Sequence, residues 1–126
     1  MLFHHVGVHV TDLAESRRLY AALFGVLGYP NYDVPGHPAT AWGTENCSFR
    51  IVQPPLERIS ASSSHVCFTA PSEDAVREFY RLGQELGATG IAPPESYEEF
   101  GHRHYTALLM DPDGNQIEAV CVDEAG

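Results

Sequence analysis

The stretch that decides the fold is HVGVHVTDLAESRRLYAALFGVLG, which covers residues 5–28. Its first six residues alternate with period two, so its three valines lie on one face of a strand and His5 and His9 lie on the other. Asp12 has the character of a helix N-cap, and apolar residues then recur at helical spacing up to Gly28. The stretch therefore predicts a strand that leads directly into an amphipathic helix.

Two further strands are predicted after this helix. They cover residues 40–42 and 47–53, on either side of a turn at 43–46, and two consecutive prolines end the segment near residue 55. Residues 29–39 contain three prolines, which favours a loop or an irregular edge strand.

The sequence contains a weak copy of this pattern 60 positions later. The pairs that match are His5-Val6 with His65-Val66, Arg17 with Arg77, and Leu19-Tyr20 with Phe79-Tyr80. The shared order of strand, helix and Leu-Gly supports a duplication more than the low identity does. We therefore expect one domain, residues 1–126, made of two β-α-β-β-β modules at about 1–55 and 62–122.

The second module ends in a predicted hairpin. Strands are expected at 104–110 and 115–122 around the turn Asp111-Pro112-Asp113-Gly114, in which Asp-Gly is a strong turn signal. A helix from residue 73 to 86 precedes it, capped by Ser72. The acidic, aromatic-bearing segment 93–101 is expected to be a loop, either functional or merely solvated.

Composition excludes several classes of protein. Seventeen acidic residues against seven basic ones give a formal charge of −10, which disfavours nucleic acid and anionic lipid as partners. The N-terminus lacks the pattern of a secretory signal, and no apolar run approaches the roughly 18 residues of a membrane span. The three cysteines are interpreted as reduced core thiols, and the predicted compartment is the cytoplasm.

Two motifs extend these observations to a family. The start HVGVHVTDL (5–13) and the end LLMDPDGNQIEAVC (108–121), in a duplicated β-α-β-β-β chain, resemble the vicinal oxygen chelate superfamily of glyoxalases, bleomycin-resistance proteins and dioxygenases. The resemblance implies an α+β fold whose two modules form an open, cup-like barrel with the helices outside. It also implies a homodimer, with the cup completed either within one chain or between two.

The resemblance assigns a metal site to three residues. His5, His65 and Glu118 take the positions of the superfamily's metal ligands on the concave face of the sheet. Two histidines and one carboxylate bind divalent ions and leave positions open for a chelating substrate. We therefore expect a divalent metal as cofactor, with Zn, Ni, Mn and Fe not distinguished.

One position departs from the glyoxalase I pattern. Aligning residues 48–51 with 116–119 puts Arg50 where that enzyme has a fourth ligand, and a guanidinium does not bind a metal. Arg50 has two interpretations: a clamp for a substrate carboxylate or phosphonate, or an ion-pair partner of Glu118 in a metal-free pocket.

Other side chains are candidates for the same pocket. His9 shares a strand face with His5 and is assigned to substrate binding, either as a proton carrier or as a plain pocket wall. Trp42 could stack on a substrate ring or fill the core. His104 and Tyr105, which follow the long loop, are candidate acids or bases beside the catalytic carboxylate Glu118.

The function that these features favour is that of a divalent-metal-dependent, glyoxalase-like lyase or isomerase. Its substrate would be a small oxygenated metabolite or xenobiotic. Two alternatives are a metal-free protein that binds an antibiotic and an Fe(II) extradiol-type dioxygenase.

Overall fold

The computed structural model describes residues 4–33, 39–44, 47–54, 65–99 and 101–124. It contains two four-stranded sheets and two helices. In chain order the elements are β1 (His5–His9), α1 (Leu13–Leu27), β2 (Asn31–Asp33), β3 (Ala39–Thr44), β4 (Cys47–Val52), β5 (His65–Thr69), α2 (Glu73–Glu85), β6 (Thr89–Glu99), β7 (His102–Met110) and β8 (Gln116–Glu124). The predicted succession of two β-α-β-β-β modules in an α+β fold is confirmed.

The two sheets have the same topology. The first has the order β1-β4-β3-β2 and the second has the order β5-β8-β7-β6. In each, the first strand of the module is parallel to the last strand, and the remaining pairs are antiparallel. The sheets do not close into a barrel among the described strands, which fits an open cup.

Both helices begin as their cap residues predict. The Asp12 carboxylate accepts a hydrogen bond from the Glu15 amide at 3.1 Å, and the Ser72 hydroxyl accepts one from Ala75 at the same distance. Helix α1 ends at Leu27 and is capped by Gly28, whose φ of 87° is a left-handed conformation that favours glycine.

The valine face of β1 points into the core, as the alternation predicts. Val8 and Val10 are buried, and their equivalents Phe68 and Ala70 are buried in the same cluster, together with Ile117 and Ala119 of β8. Val6 and Val66 pack against that cluster. The opposite face of each sheet, here called the open face, therefore carries the polar side chains of β1, β4, β5 and β8.

The helices lie on the core side of the sheets. Helix α1 contacts β3 and β4, helix α2 contacts β6, β7 and β8, and the two helices pack against each other. The two open faces therefore lie on the sides of the sheets away from the helix pair.

The Asp-Pro-Asp-Gly-Asn turn joins the two modules. Buried Asp111 accepts a hydrogen bond from the Tyr20 hydroxyl of α1 at 2.7 Å, and Asn115 Nδ2 donates to the His9 carbonyl at 3.1 Å. Asp113 accepts hydrogen bonds from both the amide and the hydroxyl of Thr11. The turn between β7 and β8 thus fixes the end of β1 relative to β8, which carries Glu118.

Two predictions about local structure were wrong. Residues 93–99 are not a loop but the second half of β6, because the sheet register shifts between Ala92 and Glu95 and so keeps Pro93 and Pro94, which lack an N–H, out of the ladder.

The cysteines are also less buried than expected. Cys67 is exposed and Cys121 is partly buried, and the side chain of Cys47 lies outside the described residues. Cys67 lies on the open face because it is two residues from His65 on β5.

The described part of the chain contains no helix long and apolar enough to cross a membrane.

Candidate metal and ligand site

His65 and Glu118 meet on the open face of the second sheet. Strands β5 and β8 are parallel, and the register pairs His65 with Gln116 and Cys67 with Glu118. His65 Nε2 lies 2.7 Å from Glu118 Oε1, with side chains that are 51% and 17% exposed. The pair joins an accessible imidazole to a carboxylate that is mostly shielded from water.

The donor atoms of this pair suit a divalent ion. His65 Nε2 and Glu118 Oε1 lie 2.7 Å apart, so a small movement of the two side chains would let both atoms hold one ion. Imidazole nitrogen and carboxylate oxygen are also ligand types that Zn, Ni, Mn and Fe share.

Cys67 lies beside this pair and is held as a thiol. Desolvation, and after it the charge of Glu118, raises the pKa of Cys67 to about 12, although the residue as a whole is exposed. A thiol with that pKa is neutral at physiological pH, so it is a poor nucleophile.

His5 lies on the open face of the first sheet. Its register partner is Ser48, and Gly7 lies opposite Arg50, so His5, Ser48 and Arg50 share one face. His5 Nδ1 is 2.9 Å from Nδ1 of His4. No group of three or more His, Cys, Asp or Glu residues suited to a metal occurs within the described segments, so one chain does not gather His5 with His65 and Glu118.

Arg50 borders a cavity of about 710 Å³ on this face. The residues that line it with Arg50 are His4, Pro30, Tyr32, Gly43, Thr44 and Ser48. The Arg50 Nε donates to the Ser48 hydroxyl at 3.3 Å. The expected alternative, an ion pair between Arg50 and Glu118, is not among the ion pairs of the described residues.

His9 lies on the same face of β1 as His5. Its Nδ1 is buried and has no hydrogen-bond partner in the part of the chain that the structure describes. A buried imidazole nitrogen without a partner is uncommon in folded proteins. His9 therefore stays a candidate for ligand contact, with its backbone carbonyl fixed by Asn115.

Two predicted site residues point away from the open faces. Trp42 is 2% exposed and stacks on Phe24 in the core, and it also lines a cavity of about 540 Å³ that His65 borders. Tyr105 pairs with Cys121, which puts it on the helix side, where its hydroxyl accepts a hydrogen bond from Arg77 of α2 at 3.1 Å. Alternation of side chains along β7 and β8 separates Tyr105 from Glu118.

His104 lies on the open face but far from Glu118. Its register partner is Val122, whereas Glu118 pairs with Leu108. Four residues along a strand span about 13 Å. His104 instead stacks on Tyr97 with ring centroids 5.4 Å apart, so within one sheet it is not placed as an acid or base for the His65–Glu118 pair.

Comparisons with known proteins agree with this architecture. The family model of the glyoxalase/bleomycin resistance protein/dioxygenase superfamily matches residues 2–119. A crystal structure of a glyoxalase/bleomycin resistance protein from Albidiferax ferrireducens T118 has 31% identity, a TM-score of 0.85, and coverage of 96% of this chain and 99% of that one.

Two more distant relatives extend the comparison. An uncharacterized protein of Bacillus subtilis (strain 168), YqjT, is 26% identical, over 93% of this chain and 96% of its own length. A lactoylglutathione lyase from Agrobacterium tumefaciens is 19% identical with a TM-score of 0.63, over 94% of this chain and 92% of that one, a likeness that concerns the fold alone.

Proposed function

Since this chain belongs to the glyoxalase/bleomycin resistance protein/dioxygenase superfamily, we propose that it is a divalent-metal-dependent enzyme of the lyase or isomerase type. Its substrate would be a small oxygenated metabolite or xenobiotic. The observation that carries the proposal is the contact of 2.7 Å between His65 Nε2 and Glu118 Oε1 on the open face. These are two of the three residues that the resemblance assigns as metal ligands.

The roles of the residues follow from their chemistry. His65 and Glu118 would hold the ion together with His5, and a bound divalent ion polarises a carbonyl or hydroxyl and lowers the pKa of a water. Glu118 holds the imidazole of His65 in place. As the carboxylate of this site, it is also the candidate proton acceptor.

We propose that a second copy of the chain completes the site. His5 and Arg50 lie on the open face of the first sheet, and His65 and Glu118 lie on that of the second. Both faces point away from the packed helices α1 and α2, which supports a cup formed by the first sheet of one chain and the second sheet of another. A homodimer would then contain two cups.

Metal binding is tested on protein purified without a His tag and stripped by chelation. Addition of Zn, Ni, Mn or Fe(II) should raise the melting temperature of the wild type, because a ligand that binds only the folded state stabilises it. Glu118→Gln should abolish this shift, since a neutral amide is a far poorer ligand. His104→Gln, which changes an open-face histidine about 13 Å away, serves as the matched control and should retain the full shift. Equal shifts in the wild type and in Glu118→Gln would rule out this site.

Mixing two defective variants tests the shared cup. His5→Gln and Glu118→Gln, each unable to bind metal alone, should recover one site in each mixed dimer when they are unfolded and refolded together, because one cup then receives intact ligands from both chains. Random pairing of equal amounts makes half of the dimers mixed, so the sample should bind about half an equivalent of metal per dimer. A cup built within one chain predicts no recovery. Sedimentation at tens of micromolar gives the oligomeric state in the same samples.

A metal-free binding protein is the second candidate. It is favoured by one observation: in the described residues of one chain, His5 does not join His65 and Glu118 in a metal-type cluster. The Arg50 cavity would then bind a small molecule by itself. Elemental analysis of the purified wild type distinguishes the two functions, since less than a few hundredths of an equivalent of any divalent metal, with no thermal shift, would favour the binding protein.

A further inference from the structure

We propose that the open face of the first sheet carries an oxyanion-binding subsite centred on the guanidinium of Arg50. It would take the carboxylate or phosphonate group of a small substrate. This inference rests on the proposed function, because it names the substrate class of that site.

The first argument is that Arg50 differs from the other arginines of the described chain. Five of them contact a carboxylate within 4.0 Å, and these are Arg17, Arg18, Arg77, Arg81 and Arg103. Arg50 has no such contact with a described residue, although the protein has 17 acidic residues. A half-buried guanidinium with no counter-charge among the described residues is unfavourable, so an anion that arrives with a ligand would be stabilised there.

The second argument is the orientation of the side chain. Only the Arg50 Nε is engaged, by the hydroxyl of Ser48 at 3.3 Å, and Ser48 itself is 5% exposed. This contact steadies the guanidinium and leaves its two terminal nitrogens free of described partners. Two parallel N–H groups of that kind suit the two oxygens of a carboxylate or phosphonate.

The third argument is space. The cavity beside Arg50 has a volume of about 710 Å³, within the range of roughly 300–1,000 Å³ of small-molecule sites. Gly7, the register partner of Arg50, adds no side chain to this face. A Cβ built at Gly7 would meet no atom closer than the Arg50 carbonyl at 4.0 Å, so the backbone tolerates a side chain here.

The position of Arg50 also relates it to the metal ligand His5. Arg50 on β4 lies opposite Gly7 on β1. His5 lies two residues before Gly7 on β1, on the same face of the sheet. Two residues of a strand span about 7 Å. A small substrate held by its anionic group at Arg50 would therefore reach toward His5 with an adjacent oxygen.

The test is calorimetric titration of the protein, after a chelator has removed any bound metal, with malonate, methylphosphonate and the uncharged malonamide. The wild type should bind the two anions saturably and malonamide not at all. Arg50→Gln should weaken anion binding at least tenfold, and Arg50→Lys should weaken the binding of both anions by less, because it keeps the charge but loses the planar fork. Arg18→Gln makes the same charge change on the exposed surface of α1 and should leave both affinities within twofold of the wild type.

Gly7→Val provides a variant that leaves Arg50 unchanged. Its side chain should cover the guanidinium and weaken anion binding, while circular dichroism shows an intact fold. No saturable anion binding by the wild type, or equal losses in Arg50→Gln and Arg18→Gln, would overturn the subsite. The change in the melting temperature of the wild type on adding metal is measured separately. Metal binding without anion binding would refute only the subsite. Anion binding without metal binding would refute only the metal-dependent function.

Discussion

Replacing Asp111 by alanine tests whether the turn at 111–115 holds the two modules together. The Asp111 carboxylate accepts four hydrogen bonds: from the amides of Asp113 and Asn115 at 2.9 and 2.8 Å, from Asn115 Nδ2 at 2.9 Å, and from the Tyr20 hydroxyl at 2.7 Å. Tyr20 and Asn115 are fully buried. The substitution would therefore take the Asp111 acceptor away from the Tyr20 hydroxyl and from Asn115 in a buried site, while Asn115 Nδ2 keeps its bond to the His9 carbonyl.

The size of the effect follows from these donors. Each buried donor that loses its acceptor costs about 1–3 kcal/mol. Because bonds of one network are not additive, we expect Asp111→Ala to lower the free energy of unfolding by about 3–5 kcal/mol. An unfolding entropy of about 2.1 cal/mol/K per residue over 126 residues then predicts a melting temperature lower by about 11–19 °C.

The assay is thermal unfolding by circular dichroism together with urea titration. Asp111→Asn, which keeps one acceptor oxygen, should lose less stability than Asp111→Ala. The matched control is Asp74→Ala, which removes an aspartate that is 87% exposed and paired with Arg77, and it should cost about 1 kcal/mol or less. If Asp111→Ala shifts the melting temperature no more than Asp74→Ala does, the carboxylate does not join the modules.

Three further predictions use other buried or crowded groups. Burial, and next the charge of the neighbouring Asp111 carboxylate, raises the pKa of Tyr20. The contribution of Tyr20 to the free energy of unfolding should therefore be fully present below the unfolded pKa of about 10 and decrease above it by up to about 1.4 kcal/mol per pH unit. Tyr20→Phe should reduce this alkaline decrease, measured as the urea midpoint against pH. The Cys67 thiol, with its pKa raised to about 12, should react with iodoacetamide at about pH 8 at least tenfold more slowly than in the urea-unfolded chain, in a variant whose other cysteines are serine. Glu118→Gln removes the neighbouring charge, which is the smaller of the two causes of the raised pKa, so it should speed the reaction only modestly. Equal reaction rates in the folded and unfolded protein would contradict a raised pKa of Cys67. Gly25→Ala, where a Cβ meets no atom within 4 Å, should stabilise helix α1 by about 0.5–1 kcal/mol. Gly83→Ala, whose Cβ would lie 2.4 Å from a buried leucine methyl of β7, should destabilise the protein by about 1–3 kcal/mol. Changes of the same sign in both variants would refute the packing argument.

The elements and their facing could be predicted from the sequence because local physics sets them. Alternation along residues 5–10 has one arrangement that buries the valines, and that arrangement puts His5 and His9 on the open face. Asp12 and Ser72 accept hydrogen bonds from the first free amides of the helices that follow them, so these residue types indicate where α1 and α2 begin. The repeat at an offset of 60 then predicts that both modules share one topology.

The position of each candidate relative to the others was decided by the tertiary structure. Tyr105 follows His104 directly, so the two must point to opposite faces of a strand. The register of β7 against β8 decides which of them shares the face of Glu118, and a one-residue uncertainty in the register is enough to exchange those faces. Pro93 and Pro94 indicated a loop because the sequence does not show that a register shift takes them out of the hydrogen-bond ladder. The partners of Asp111, and the lack of a described carboxylate beside Arg50, depend on contacts between residues far apart in the chain. Such contacts follow from how the modules pack, and no local pattern of the sequence contains them.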